Sequence, residues 1–181
     1  MNTIDSKILG ALTQNETMEN WWTSELKTVP LVEKDLPFTF MAVDFEEDQK
    51  FLADAEKALE NFLDLNSFYK LQIAPHIFEN FVEYCSYISE SDIPENMKGA
   101  QPLSIWNHVH CSQVFLSRRE KNDKDIYVVL ACECEWEKEH GLQLVFRQGK
   151  KLTRVSDQDG HLTDSDAFNF PDHEDKLLAG F

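Results

Sequence analysis

Six residues of metal-ligand type gather around the stretch that reads as a β-meander: His108, His110, Cys111, Cys132, Cys134 and His140. Zinc needs three or four such groups converging on one ion. Cys132-Glu133-Cys134 is C-x-C, however, not the C-x-x-C loop that wraps two thiolates around a metal. Strand alternation puts both sulfurs on the face of Leu130 and Trp136, which reads as core. On a strand, His108 and Cys111 point to opposite sides. No metal is therefore assigned to this set. Asp157-Gln158-Asp159-Gly160 resembles part of a calcium loop. With Gly160 at the obligatory sixth position, Val155 stands where the first acid belongs and Asp166 where a bidentate Glu belongs, so a turn closed by Asx side-chain bonds is the better account. Glu137, Glu139 and His140 have the types needed for acid–base work, because carboxylates favour the protonated imidazole. A hairpin tip normally lacks the pocket that this chemistry requires. G-x-S-x-G, a Walker A loop and G-x-G-x-x-G are absent, so neither a nucleophile elbow nor a phosphate cradle is indicated.

A further pattern concerns binding rather than catalysis. Glu133, Glu135, Glu137 and Glu139 recur every second residue, so on a strand at least the first two or three share a face. Like charges stacked in this way destabilise a sheet unless cross-strand cations offset them. Arg147 and Arg154 are available for that role. The alternative is an electronegative strip, with His140 at its tip, presented to a basic partner.

The elements that would position these residues follow from periodicity. Residues 1–20 read as an arm or short helix, with an amphipathic candidate from Ile4 to Leu12. Trp21 to Val43 reads as a β-hairpin turning at Glu33-Lys34-Asp35, its strands placed near an edge or started at a proline by Pro30 and Pro37. Phe51, Leu52, Ala55, Ala58, Leu59, Phe62 and Leu63 then follow helical spacing within 44–65, with Asp44 and Glu47 at capping-box spacing and Asp48 as another cap candidate. A second helix is predicted to begin near Pro75, with Ile77, Phe78, Phe81, Val82, Cys85 and Ile88 as its apolar stripe. Residues 89–102 form the main loop and a possible sub-boundary. Ile126 to Trp136 alternates cleanly, Leu142, Leu144 and Phe146 continue the inward set, and KLTRVS adds a third strand of a meander. An odd number of turn residues keeps these faces in register, which Lys138-Glu139-His140 with Gly141 satisfies. Gly149 marks the next turn, and an acidic, turn-rich tail ends in KLLAGF.

Composition bounds the function. The chain has 181 residues, 33 Asp+Glu against 17 Lys+Arg, and a formal net charge of −16. Such acidity repels phosphate, which argues against nucleic-acid and anionic-membrane binding and favours a basic protein partner. With 42% hydrophobic residues, including 13 Phe, the chain is not wholly disordered. It shows no membrane-spanning run and no secretory signal. Cys85, Cys111, Cys132 and Cys134 each lie in an apolar stretch, which predicts four reduced thiols and a cytoplasmic location.

The run from Cys134 to Gly149 (CEWEKEHGLQLVFRQG), the run Val155 to His161 (VSDQDGH) and Ile105-Trp106-Asn107-His108-Val109 are distinctive. Together they resemble a family of uncharacterised bacterial proteins that has a strand ending in C-x-W-E-x-E-H-G-L and then a strand with a G-K turn. The similarity runs from about Trp21 to Ala167. It implies no enzymatic activity and supplies no catalytic residues. Some members resemble immunity proteins of bacterial conflict systems, which implies a small, acidic, cytoplasmic binder.

The resulting expectation is an α+β domain over 21–181, with an N-terminal hairpin, two principal helices packed on an antiparallel sheet, and a C-terminal meander. Glu133, Glu135, Glu137, Glu139 and His140 are the binding candidates. Trp136, Gly141, Arg147, Gly149, Asp159 and Gly160 build the turns that carry them. The function expected is a non-enzymatic interaction domain, most concretely an immunity-like inhibitor of a basic toxin, with no cofactor. The alternative is a metal-binding protein or metal-dependent hydrolase using Glu139, His140, Asp159 and His161.

Overall fold

The strand with the cleanest alternation lies inside a large sheet, with neighbours on both sides. The computed structural model describes residues 2–179. Its strands are β1 (Thr3–Ser6), β2 (Gly10–Gln14), β3 (Trp22–Ser24), β4 (Lys27–Val29), β5 (Lys34–Leu36), β6 (Phe38–Phe40), β7 (Val109–Arg118), β8 (Ile126–Cys134), β9 (Leu142–Arg147) and β10 (Lys151–Ser156). Its α-helices are α1 (Phe51–Leu63), α2 (Tyr69–Tyr87) and α3 (Asp164–Phe168). Eight strands form one sheet in the order β1-β2-β3-β6-β7-β8-β9-β10, while β4 and β5 pair separately. The α+β class follows. The sheet is mixed rather than wholly antiparallel, because β6 runs parallel to β7 with Phe38 opposite Val114. Parallel neighbours need a long crossover, and here α1 and α2 provide it.

The N-terminal expectation is overturned. Ile4 to Leu12 is neither arm nor helix, for Ile4 faces Leu12 across the β1–β2 hairpin. Ser6 Oγ accepts the N–H groups of Ile8 and Leu9, and Gly10 closes the turn at φ +77°. A strand–turn–strand of this length reproduces helical apolar spacing, which explains the misreading. Residues 21–43 do form a hairpin, but β3 pairs with β6 and β4 with β5. The interruption falls at Pro37, which has no N–H for the ladder. The turn comes earlier than expected, with Glu33 at φ +55° and Lys34 and Asp35 already in β5.

α1 starts at Phe51, not at Asp44. Asp44 Oδ1 accepts from the N–H groups of Glu46 and Glu47, so the capping signature closes a separate turn. The helix buries Phe51, Ala55, Ala58, Leu59 and Phe62, the stripe expected. α2 begins at Tyr69 and carries Pro75 inside it. The N–H that proline lacks would have met the carbonyl of Leu71, which is an exposed residue where water can replace it. Ile73, Ala74, Ile77 and Phe81 are buried, whereas Val82 is exposed, so the stripe is shifted towards the N-terminus. Residues 89–102 hold two short 3₁₀ turns, and Met97 within them joins the same buried cluster as Phe81 and Ile105.

β8 is buried on both faces. Ile126, Val128, Leu130, Cys132 and Cys134 face the helices. Tyr127 and Val129 pack with Val145, Phe115 and Leu162 in a second, smaller cluster. Gly149 sits at φ +66° directly under α1, where an added Cβ would lie 2.0 Å from the carbonyl oxygen of Ala58. Among the described residues no helix is long and apolar enough to cross a membrane. Met1, Gly180 and Phe181, at the two ends of the predicted arm and apolar terminus, lie outside the described residues.

Candidate functional site

The four alternating glutamates do not form a strip. β8 ends at Cys134, so only Glu133 stands on the strand, exposed. Glu135 turns towards His108 and His110. His108 Nδ1 lies 3.0 Å from its Oε2, Asn96 Nδ2 donates at 2.5 Å, and His110 Nε2 is 3.7 Å from Oε1. The bonds from His108 and Asn96 hold this carboxyl below the usual carboxylate range. Glu137 staples the hairpin turn, its Oε1 accepting the N–H groups of Glu139 (2.8 Å) and His140 (3.2 Å). Partial burial works against its ionisation, yet those two donors and His140 keep its pKa below the ordinary value. Glu139 and His140 are exposed. Trp136 is buried, donating to Asn80 Oδ1 at 3.1 Å and packing edge-on to Phe81. Gly141 stands at φ +67°, where a Cβ would lie 2.8 Å from the Cys132 carbonyl oxygen.

The arginines proposed to offset those glutamates are engaged elsewhere. Arg147 Nε donates to Asp125 at 2.7 Å. Arg154, almost wholly buried, binds Asp159 at 2.5 and 2.7 Å and Asp164 at 2.8 Å. Arg119, 1% exposed, is gripped by Asp123, Asp166 and Asp172 at 2.7–3.0 Å. The hydrogen bonds from Arg119 hold the Asp172 carboxyl down at about 2. Arg118 pairs with Asp48 and Asp54. Much of the acidic tail is thus an internal clamp on guanidinium groups. Asp159 also accepts from Gln143 and from the N–H of His161, which makes 157–161 an Asx-closed turn rather than a calcium loop.

The metal-ligand types separate into groups. Cys111 and Cys132 meet each other, with Sγ atoms 2.7 Å apart, and Cys134 Sγ lies 3.3 Å from the Glu137 carbonyl oxygen. His108 and His110 face Glu135 instead. Among the described residues one trio of ligand types comes together, Glu137, His140 and Asp157, with atoms within 4.8 Å of one another. Of Glu139, His140, Asp159 and His161, only His140 belongs to it.

Two concavities bear on these residues. One of about 470 Å³ is lined by Trp21, Met41 and Phe51 with Arg118 and Arg119, whose guanidinium groups are already saturated by aspartates. The other, about 410 Å³, lies between the last turns of α2 and the chain that follows β10. Glu83, Tyr84 and Tyr87 form one wall, and Asp157, Asp164 and Phe168 stand opposite. Tyr87 is 78% exposed and Phe168 71%. Among the described residues, the carboxylates of Glu83 and Asp157 accept no hydrogen bond and form no ion pair, although the charges of His140 and Arg154 act on Asp157. Burial, and then the charge of Glu137, pushes the Asp157 pKa up. The same causes, burial followed by Glu137, raise Tyr84. Asp157 joins this groove to the Glu137–His140 trio. Sequence reasoning missed the α2 wall. Its signal was an acid and an aromatic at i and i+4, Glu83 and Tyr87, but the apolar stripe read from the sequence ran on to Ile88, whereas the buried one ends at Phe81.

Residues 8–162 match the family model described as Domain of unknown function (DUF6985), and the chain belongs to that family. The match begins earlier than the resemblance seen in the sequence, inside the β1–β2 hairpin, and stops before α3. No curated protein and no solved structure matches the chain.

Proposed function

We propose that this member of the family is a non-enzymatic interaction domain that holds a cationic segment of a basic protein in the groove between α2 and the chain after β10. One observation carries the reading: Glu83 and Asp157, whose carboxylates form no hydrogen bond or ion pair among the described residues, stand beside the exposed rings of Tyr87 and Phe168. Many aspartates around the sheet are tied to arginines, whereas this groove sets two unbonded carboxylates beside exposed aromatic rings. An Arg or Lys side chain laid in such a groove gains ion pairing and cation–π contact together, and aromatic anchors dominate interface energetics. The net charge of −16 would speed the encounter with a basic protein. The most specific form of this reading is an immunity-like inhibitor of a basic toxin; what supports it is the resemblance to a family some of whose members look like such proteins, together with the acidity of the chain.

The test is parallel affinity capture with wild type, a groove variant (E83Q/D157N/Y87A) and a turn variant (E133Q/E139Q). A basic protein retained by wild type and by the turn variant, but lost by a folded groove variant, is the expected outcome. Equal retention by all three would refute the groove. The Glu137–His140–Asp157 trio supports a second reading, a divalent-metal site. Calorimetric zinc titration of wild type and His140→Ala tests it, with heat of binding expected only in wild type.

A further inference from the structure

The four thiols are not equivalent. Cys111 and Cys132 are directly opposed on the antiparallel pair β7–β8, and both are buried. Their Sγ atoms are 2.7 Å apart. Opposed residues of an antiparallel pair have Cα atoms about 4.5–5.5 Å apart, inside the range a disulfide spans. The two sulfurs need to approach by roughly 0.7 Å more to reach the covalent distance of about 2.05 Å. Cys134 is directed to the Glu137 carbonyl and Cys85 lies half-buried on α2, so neither competes for these sulfurs. The register of β7 shifts between Cys111 and Gln113, leaving Ser112 as an unpaired residue beside Cys111. A bulge of this kind gives the strand local freedom to take up a small displacement.

We propose that Cys111 and Cys132 form a cross-strand disulfide when the protein folds under oxidising conditions, fastening β7 to β8 with no change of fold. The plain alternative is a pair of small apolar side chains that merely pack. In the reaction the two thiols lose two protons and two electrons to one molecule of oxidised glutathione. The Cys111–Cys132 bond forms, the glutathione disulfide bond breaks, and two molecules of reduced glutathione leave. Burial pushes the Cys132 thiol well above its ordinary pKa. Since the thiolate is the reactive form, exchange takes place while the strands are open during folding rather than in the closed sheet. The link encloses residues 112–131, including the turn that carries Arg119 and Asp123. Two carbonyls tie the pair to neighbouring elements, with Lys34 Nζ donating to that of Cys111 and Gln158 Nε2 to that of Cys132.

The experiment is to refold the reduced, denatured full chain in a glutathione redox buffer, alkylate free thiols, and map linked peptides by mass spectrometry. The expected product has lost two hydrogens, about 2 Da, and carries one link, Cys111 to Cys132. Cys111→Ala and Cys132→Ala each abolish the link, while a C85A/C134A variant keeps it. Its thermal midpoint exceeds that of the reduced protein by about 5–10 °C. A folded wild-type product with all four thiols alkylated overturns the proposal, as does a different pairing or a lowered midpoint.

Discussion

At the residue scale, two glycines separate close packing from backbone freedom. Gly149 and Gly160 both have positive φ, but only Gly149 faces a neighbour that cannot move easily, the Ala58 carbonyl. Gly149→Ala is expected to cost about 2–4 kcal/mol and Gly160→Ala about 1 kcal/mol, compared by urea denaturation. Gly149 was legible as a turn marker from its position between two strands. Its contact with α1 was not, because that contact depends on a helix some ninety residues earlier in the chain. The arginine clamps were hidden for the same reason, since Arg119 and Asp166 are 47 positions apart. Arg119→Met leaves three aspartates facing one another and is expected to cost about 3 kcal/mol. Asp172 titrates at about 2 in the folded protein against an ordinary 3.8. A depressed carboxyl contributes stability that is present above the unfolded value and is lost as pH falls through the folded one. Wild type should therefore lose stability between about pH 4 and pH 2, and Arg119→Met should show a flatter slope there, measured by chemical denaturation across that window.

At the element scale, the segments with strong, uninterrupted periodicity were legible and those shaped by turns were not. The β8–β9–β10 meander, the α1 stripe and the burial of Trp136 followed from alternation and helical spacing alone. The β1–β2 hairpin was misread because Ile4, Ile8 and Leu12 carry helical spacing while Ser6 and Gly10 decide the conformation. The glutamate strip failed because strand alternation was extended past Cys134, where Glu137 is needed to cap the turn. Trp136 joins that turn to α2 through Asn80 and Phe81. Trp136→Ala should cost about 3–5 kcal/mol and also free the groove wall, so that amides of residues 80–87 exchange faster with solvent deuterium. Trp136→Phe keeps the ring on Phe81 and should cost less than half as much. Equal costs for the two would mean that the ring does not join the elements.

At the scale of the whole molecule, the net charge pointed to a basic partner but not to the surface that would meet it. Of the acids near β8, Glu135 and Glu137 are committed to its histidines and its turn, and most of those in the tail are committed to buried arginines. The groove carboxylates Glu83 and Asp157 come from α2 and from the turn after β10, segments joined by the fold and not by sequence. The most direct measurement is a titration of isotope-labelled protein with an arginine-rich octapeptide, followed by amide chemical shifts at low and at physiological salt. The groove reading predicts saturable shifts centred on Glu83, Tyr84, Tyr87, Asp157 and Phe168, weaker at the higher salt and absent in E83Q/D157N/Y87A. Shifts centred instead on Glu133 and Glu139, or unchanged in the groove variant, would contradict it.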